Sequence, residues 1–213
     1  MRVAGELTEA IRTIGRLERE NNALHKEIAE LRRHAHEDAL TGIGNKRAFL
    51  IEFEGAVHAY RRDYPGTVPF SVVVIDANNL KIINDALGHA AGDDLLRAIA
   101  KGIVSTTRTG KDFSARIGGD EFVVLIKGPA DAFSIRIHKV LEAIAAKNGL
   151  GFPVSISLGS VSINEIDTEE RLSSPTEKII KSMLDIADSR MYEHKARSKN
   201  GRNPAAIASA IRP

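Results

Sequence analysis

Hydrophobic positions near the start of the chain recur every seven residues. With Leu7 taken as position a, the a positions are Leu7, Ile14, Asn21, Ile28 and Ala35, and the d positions are Ala10, Leu17, Leu24 and Leu31. A heptad unbroken over about four repeats predicts a coiled-coil helix. Ile at a with Leu at d favours a parallel two-stranded form, in which a buried Asn21 pairs with its own copy and sets the alignment. The flanking charges agree, because Glu27 faces Arg32 and Glu20 faces His25 across such a seam. The expected dimerisation residues are Ile14, Leu17, Asn21, Leu24, Ile28 and Leu31. An amphipathic helix lying on its own domain is the other reading of this stripe.

Past residue 38 the pattern changes. Gly42 and Gly44 break the helical period, Asn45 is a candidate N-cap, and a second amphipathic helix runs through Phe49, Phe53 and Val57. The following segments read as a strand over 69–76, helices over 79–87 and 92–107, and strands "DFSARI" and "EFVVLI" around a turn. A helix over 131–147, a strand over 153–163 and a helix over 176–197 complete the series. "TEERLSSPTE" reads as a surface loop. The expected division is a coiled-coil helix over 1–37, a globular domain over 38–203 and a flexible tail over 204–213. Strand, helices, hairpin, helix and strand in that order predict an α+β fold of the split βαβ, ferredoxin-like kind, with helices on one face of the sheet.

Composition narrows the classes. The 213 residues, 43% of them hydrophobic, suffice for one sizeable core and an appended helix. Thirty basic against 28 acidic side chains leave a formal charge of +2, which argues against a nucleic-acid partner. The chain has no cysteine, so disulfides and thiolate metal sites are excluded. No run approaches the roughly 18 apolar residues of a membrane span, and the polar N-terminus lacks a signal-peptide core. The expected location is the cytoplasm, without membrane insertion.

The chemistry concentrates in "RIGGDEFVVLI", residues 116–126. Asp120 and Glu121 stand side by side at a hairpin mouth, where like charges repel. In a split βαβ sheet the first strand lies beside this hairpin, which brings Asp76 close to Asp120. Two carboxylates from neighbouring strand ends form a hard-oxygen site for Mg²⁺, whose other ligands come from phosphate and water. Gly118 and Gly119 accept positive φ in a tight turn and let a phosphate approach the backbone. On residue types alone, a polar-tipped turn explains Gly-Gly-Asp equally well.

Gly118-Gly119-Asp120-Glu121-Phe122 resembles the signature of the GGDEF family of diguanylate cyclases. Four further blocks resemble the family in order: "DALTGIGNKRAF" (38–49), "IDANNLKIINDALGHAAGDDLL" (75–96), "SISLGSVSI" (155–163) and "ADSRMYEHK" (187–195). The resemblance implies a cyclase palm that binds one GTP per domain and joins two GTP into cyclic di-GMP where two domains face each other. It implies two Mg²⁺ or Mn²⁺ ions per half-site, held by Asp76, Asp120 and the carbonyl of Ala77. Glu121 is then placed to help bind metal or promote deprotonation of the attacking 3′-hydroxyl. By the same resemblance Asn84 and Asp93 select guanine, Lys81 and Lys195 contact phosphate, and Leu80, Gly118 and Gly119 line the substrate site. Asp93 near a helix N-terminus and Lys81 on a solvated helix face have ordinary structural explanations too.

The departures also carry information. Asn78 stands where many members have Asp, and Leu80 where Phe is usual. Lys195 stands six residues before Gly201 rather than three before Gly-Arg-Asn, which takes Arg202 out of the family register. Many members carry an inhibitory Arg-x-x-Asp ahead of the signature; here Thr109 and Asp112 occupy those positions, and Arg108 is one residue early. Thr cannot supply a planar bidentate fork, so weak or absent product inhibition is expected there. The other readings are a catalytically weak domain that binds nucleotide or a partner, and a coiled-coil adaptor. The sequence shows no sensory domain of its own, so a regulatory partner or an upstream sensor would supply any input.

Overall fold

A computed structural model describes residues 2–199. The chain divides into two compact units, Met1–His36 and Glu37–Pro213. The first is helix α1 (Arg2–His36). Along it Ile14, Leu17, Leu24, Ile28 and Leu31 are between 45% and 61% exposed, an apolar stripe with no cover inside its own unit. Asn21 lies in the same stripe and is also exposed. The side chains of Leu7, Ala10 and Arg32 lie outside the described residues, as do Gly201, Arg202 and the tail over 204–213. Among the described residues no helix is long and apolar enough to cross a membrane.

The second unit is organised by β2 (Phe70–Ala77), a strand buried at every position. Its sheet also contains β1 (Gly44–Asn45), β3 (Phe113–Arg116), β4 (Glu121–Lys127) and β5 (Ile156–Ser162), in the order β1-β3-β4-β2-β5. β2 pairs antiparallel with β4 from Phe70↔Lys127 to Asp76↔Glu121, and antiparallel with β5 from Ser71↔Ser162 to Ala77↔Ile156. This is the palm-like α+β sheet, with the first full strand between the hairpin and the last strand.

Helices cover both faces rather than one. On one face Val73, Ile75, Phe122 and Val124 pack with Ile83 of α3 (Leu80–Leu87), Leu95, Ile99 and Ile103 of α4 (His89–Thr106), and Phe133 and Ile137 of α5 (Asp131–Asn148). On the other, Val72, Val74, Val123 and Leu125 meet Phe49, Phe53 and Val57 of α2 (Lys46–Asp63) and Ile179, Met183 and Ala187 of α7 (Thr176–Lys199). The continuous apolar run Val72-Val73-Val74-Ile75 carries the reason, since a strand without alternation must be covered on both sides.

Local differences have local causes. Asn45 caps α2 as its position predicts, accepting from the Ala48 amide at 3.0 Å. α4 begins at His89, not at 92, because Gly92 lies inside the helix and serves close packing instead of termination: a Cβ there would sit 1.9 Å from Asn84 Oδ1. The expected loop after β5 contains a short helix, α6 (Thr168–Ser173). Asp167 caps it by accepting from the amides of Glu169 and Glu170.

Gly159 of β5 admits α7 closer than any other residue would. A Cβ at 159 would lie 2.1 Å from the Ala187 carbonyl oxygen and 2.3 Å from the Met191 nitrogen, both backbone atoms. Gly159→Ala is therefore expected to push α7 off the sheet and lower stability by about 1–3 kcal/mol. Urea denaturation checks this; an unchanged midpoint contradicts the close approach.

Candidate active site

Residues directly opposite in an antiparallel pair share a face of the sheet, so Asp76 and Glu121 project to the same side, the side covered by α7. One step further the Ala77 amide donates to the Asp120 carbonyl at 2.9 Å, which fixes the backbone of Asp120 beside the end of β2. The β3–β4 turn closes through the amide of Ile117, which donates to the Glu121 carbonyl at 2.9 Å. Neither Gly118 nor Gly119 has a positive φ. Glu121 instead folds back over Gly118: a Cβ there would lie 2.6 Å from Glu121 Oε2, the far end of an exposed side chain that is free to move aside. Gly119 has open space where a side chain would stand.

Asp76 is only 7% exposed. Its Oδ1 accepts from the Lys195 ammonium at 2.7 Å, an ion pair that joins α7 to the end of β2. Lys195 thus reaches the acidic strand end despite its altered spacing from Gly201. Among the described residues no three His, Asp or Glu side chains gather into a metal cage. The donors present are carboxylates and backbone carbonyls, a hard-oxygen set suited to a cation that draws its remaining ligands from phosphate. The buried Asp76 carboxylate already holds a cation, in the form of an ammonium group.

Behind β2 the chain turns through Asn78 and Asn79. The Asn78 side chain donates to Ser155 Oγ at 3.2 Å and accepts from Ser157 Oγ at 3.0 Å, which ties the end of β2 to the residues that open β5. Asn79 is left-handed at φ 66 and leads into α3, whose first residues are Leu80 and the exposed Lys81. At the α3–α4 seam Leu80 and Asn84 pack over Gly92, and Asn84 Oδ1 is buried without a hydrogen-bond partner. Asp93 follows Gly92 on α4, with an Arg97 nitrogen 3.8 Å from its carboxylate.

Arg116 is the participant that sequence reasoning missed. It donates to the Gly119 carbonyl at 2.7 Å and to both Asp38 oxygens at 3.2 and 3.3 Å, bracing the Gly-Gly turn against the segment that opens the domain. Burial raises the Asp38 carboxyl, but hydrogen bonds from Thr41 and Arg116 outweigh it and hold the group below its ordinary range. The available signal was an arginine inside the half-buried strand "FSAR".

Asp112 is spent on the fold. Its carboxylate accepts from the Arg108 amide, the Arg108 guanidinium and the Lys127 amide, and its side chain is only 4% exposed. Thr109 stands on the exposed turn between Arg108 and Asp112.

A palm-like sheet with carboxylates at the adjoining ends of its central strands has the architecture of nucleotidyl cyclases. Residues 35–201 match the model of the diguanylate cyclase GGDEF domain, and the chain belongs to that family. It is 33% identical over 172 residues to diguanylate cyclase DgcS of Shewanella oneidensis, a match that covers 80% of this chain and 53% of the relative. The chain therefore spans about half the length of that relative. Its fold is similar to that of diguanylate cyclase SiaD of Pseudomonas aeruginosa, solved with its activator SiaC (TM-score 0.64, 21% identity, 92% of this chain and 72% of that one). It is similar also to the coiled coil and GGDEF domain of DgcB of Caulobacter crescentus, solved with c-di-GMP (TM-score 0.64, 24% identity, 90% and 94%).

Burial raises the Asp112 carboxyl as well, and the Arg108 and Lys127 bonds outweigh it to hold the group below its ordinary 3.8. A carboxyl depressed in the folded state stabilises above its unfolded value, and that contribution disappears as pH falls through the folded value. Asp112→Asn is expected to cost about 1–3 kcal/mol at pH 7, and to show a shallower loss of stability than the wild type below pH 3.8. Denaturant unfolding across pH checks both; unchanged stability at pH 7 contradicts the first and a difference independent of pH contradicts the second.

Proposed function

We propose that this chain condenses two GTP into cyclic di-GMP with release of two pyrophosphates, each of two facing domains presenting one GTP. The observation that carries the reading is the buried Asp76 carboxylate, paired in register with Glu121 and flanked by the backbone of Asp120. Asp76, Asp120 and the Ala77 carbonyl would hold Mg²⁺ or Mn²⁺, with Glu121 beside them. Bound there, divalent metal supplies acidification of the attacking 3′-hydroxyl and neutralisation of charge on the α-phosphate and leaving pyrophosphate.

The remaining residues bind and orient. The orphaned Asn84 Oδ1 and the Asp93 carboxylate accept from donors on the guanine edge, whereas adenine presents an acceptor at N1 and leaves a buried acceptor unmatched. Gly118 and Gly119 keep side chains away from the phosphates. Lys81 and Lys195 supply positive charge to the triphosphate as point charges. Leu80 packs beneath the site at the α3–α4 seam.

Bond formation needs the second half-site in opposition, which is a proximity problem. The uncovered stripe on α1 answers it: two copies joined as a parallel coiled coil raise the effective concentration of the second domain. With Asp112 engaged by Arg108 and Lys127, and Thr109 in place of arginine, product feedback at that position is expected to be weak or absent.

Incubation with GTP and Mg²⁺ followed by mass analysis tests the reading. Cyclic di-GMP is expected from GTP and no cyclic dinucleotide from ATP, with Asp120→Asn reducing the rate by about a hundredfold or more. Tight nucleotide binding without turnover would instead assign a nucleotide-binding module. Deleting residues 1–36 is expected to lower turnover at dilute protein and leave it recoverable at high concentration; a rate unaffected by dilution and deletion overturns the role of the stalk.

A further inference from the structure

We propose that Lys195 is the resident counter-ion of Asp76, and that by leaving Asp76 for the triphosphate it makes divalent-cation binding and nucleotide binding depend on each other. The proposal rests on the metal and nucleotide sites of the cyclase reading, and concerns how they are coupled.

The position of Lys195 is built in by the β2–β5 register, which sets Val74 opposite Gly159 and Asp76 opposite Ser157. Two residues along a strand advance about 6.6 Å, and four residues along a helix about 6 Å. Ala187 and Met191 of α7 are seated on Gly159, where backbone meets backbone. Four residues beyond Met191, Lys195 therefore arrives at the level of Asp76, two residues beyond Val74, and the 2.7 Å contact results. A bulkier residue at 159 would lift the helix and the lysine with it.

The energetics follow from burial. The Asp76 side chain is 10% exposed and that of Lys195 is 27% exposed, so the carboxylate is screened from water and depends on a local cation. An ammonium and a divalent ion cannot share one carboxylate without strong repulsion at about 4 Å. A metal ion arriving alone must therefore displace Lys195 and break its 2.7 Å contact with the buried carboxylate. A metal ion arriving with a triphosphate gives the ammonium a new partner, which its flexible four-carbon stem can reach. Metal alone binds weakly, metal with nucleotide binds well, and by linkage each raises the affinity of the other by the same factor.

The test is a Mn²⁺ titration of the full chain, followed by electron paramagnetic resonance of free Mn²⁺. It is run without nucleotide and with an α,β-methylene analogue of GTP that cannot be cyclised. Lys195→Met is expected to bind Mn²⁺ alone at least about fivefold more tightly than the wild type, and to gain less from the analogue. Lys195→Arg, which keeps the charge, should restore the wild-type pattern. Without metal, the Lys195→Met protein should melt at a lower temperature than the wild type, and saturating Mn²⁺ should close the gap; Lys195→Gln, which keeps a neutral donor, serves if the Met variant does not fold. Affinity for Mn²⁺ alone that is no higher in the neutral variants than in the wild type overturns the proposal. The Mn²⁺-alone measurement does not use turnover: an active wild type with unaltered variant affinity sinks only this inference, whereas tighter Mn²⁺ binding in variants of an inactive wild type sinks only the cyclase reading.

Discussion

The antiparallel register between β2 and β4 governs everything at the acidic end of the sheet. It runs for seven pairs, and the last sets Asp76 against Glu121. Because side chains alternate between faces, a slip of one residue would turn Asp76 toward α3 and α4 and Ile75 toward α2 and α7. Such a slip is costly on both sides at once, since Val73 and Ile75 fill one core while Val72 and Val74 fill the other. The geometry of the acidic cluster is thus inherited from apolar packing several residues away. Neither carboxylate has to be held by its own interactions to be in the right place.

The same constraint separates what the sequence made legible from what it did not. The order of strands and helices, the Asn45 cap and the acidic hairpin were readable, because each depends on residues a few positions apart. The second layer of helices is also written in the unbroken run Val72-Val73-Val74-Ile75, whereas the order of elements by itself implies one covered face. The functions of three glycines lay out of reach. Gly92 meets Asn84, Gly159 meets the backbone of α7, and Gly118 meets Glu121. At Gly159 the neighbour is backbone and leaves no room for a Cβ, whereas at Gly92 and Gly118 it is a side chain.

Charged residues show the same division. Arg116 and Asp38 are 78 positions apart and Lys195 and Asp76 are 119 apart, so no periodicity links them. Family resemblance directs attention to Lys195 without saying that an acidic side chain already occupies it. Arg108 and Asp112 illustrate the converse: the arginine stands one residue early for the inhibitory pattern, yet it closes onto the aspartate and uses up the carboxylate that pattern would need. A short motif reports residue identity, and geometry decides which partner each side chain has taken.

The two units pose one physical problem between them. On the proposed reading, each globular domain carries half of a reaction centre and each stalk carries half of a hydrophobic seam, so neither is complete in a single chain. A parallel pairing of α1 would bury Ile14, Leu17, Leu24, Ile28 and Leu31 together, and Asn21 would reward only the alignment that brings it against its own copy. On that reading the seam supplies proximity alone, and the facing of the two half-sites is left to the globular domains themselves.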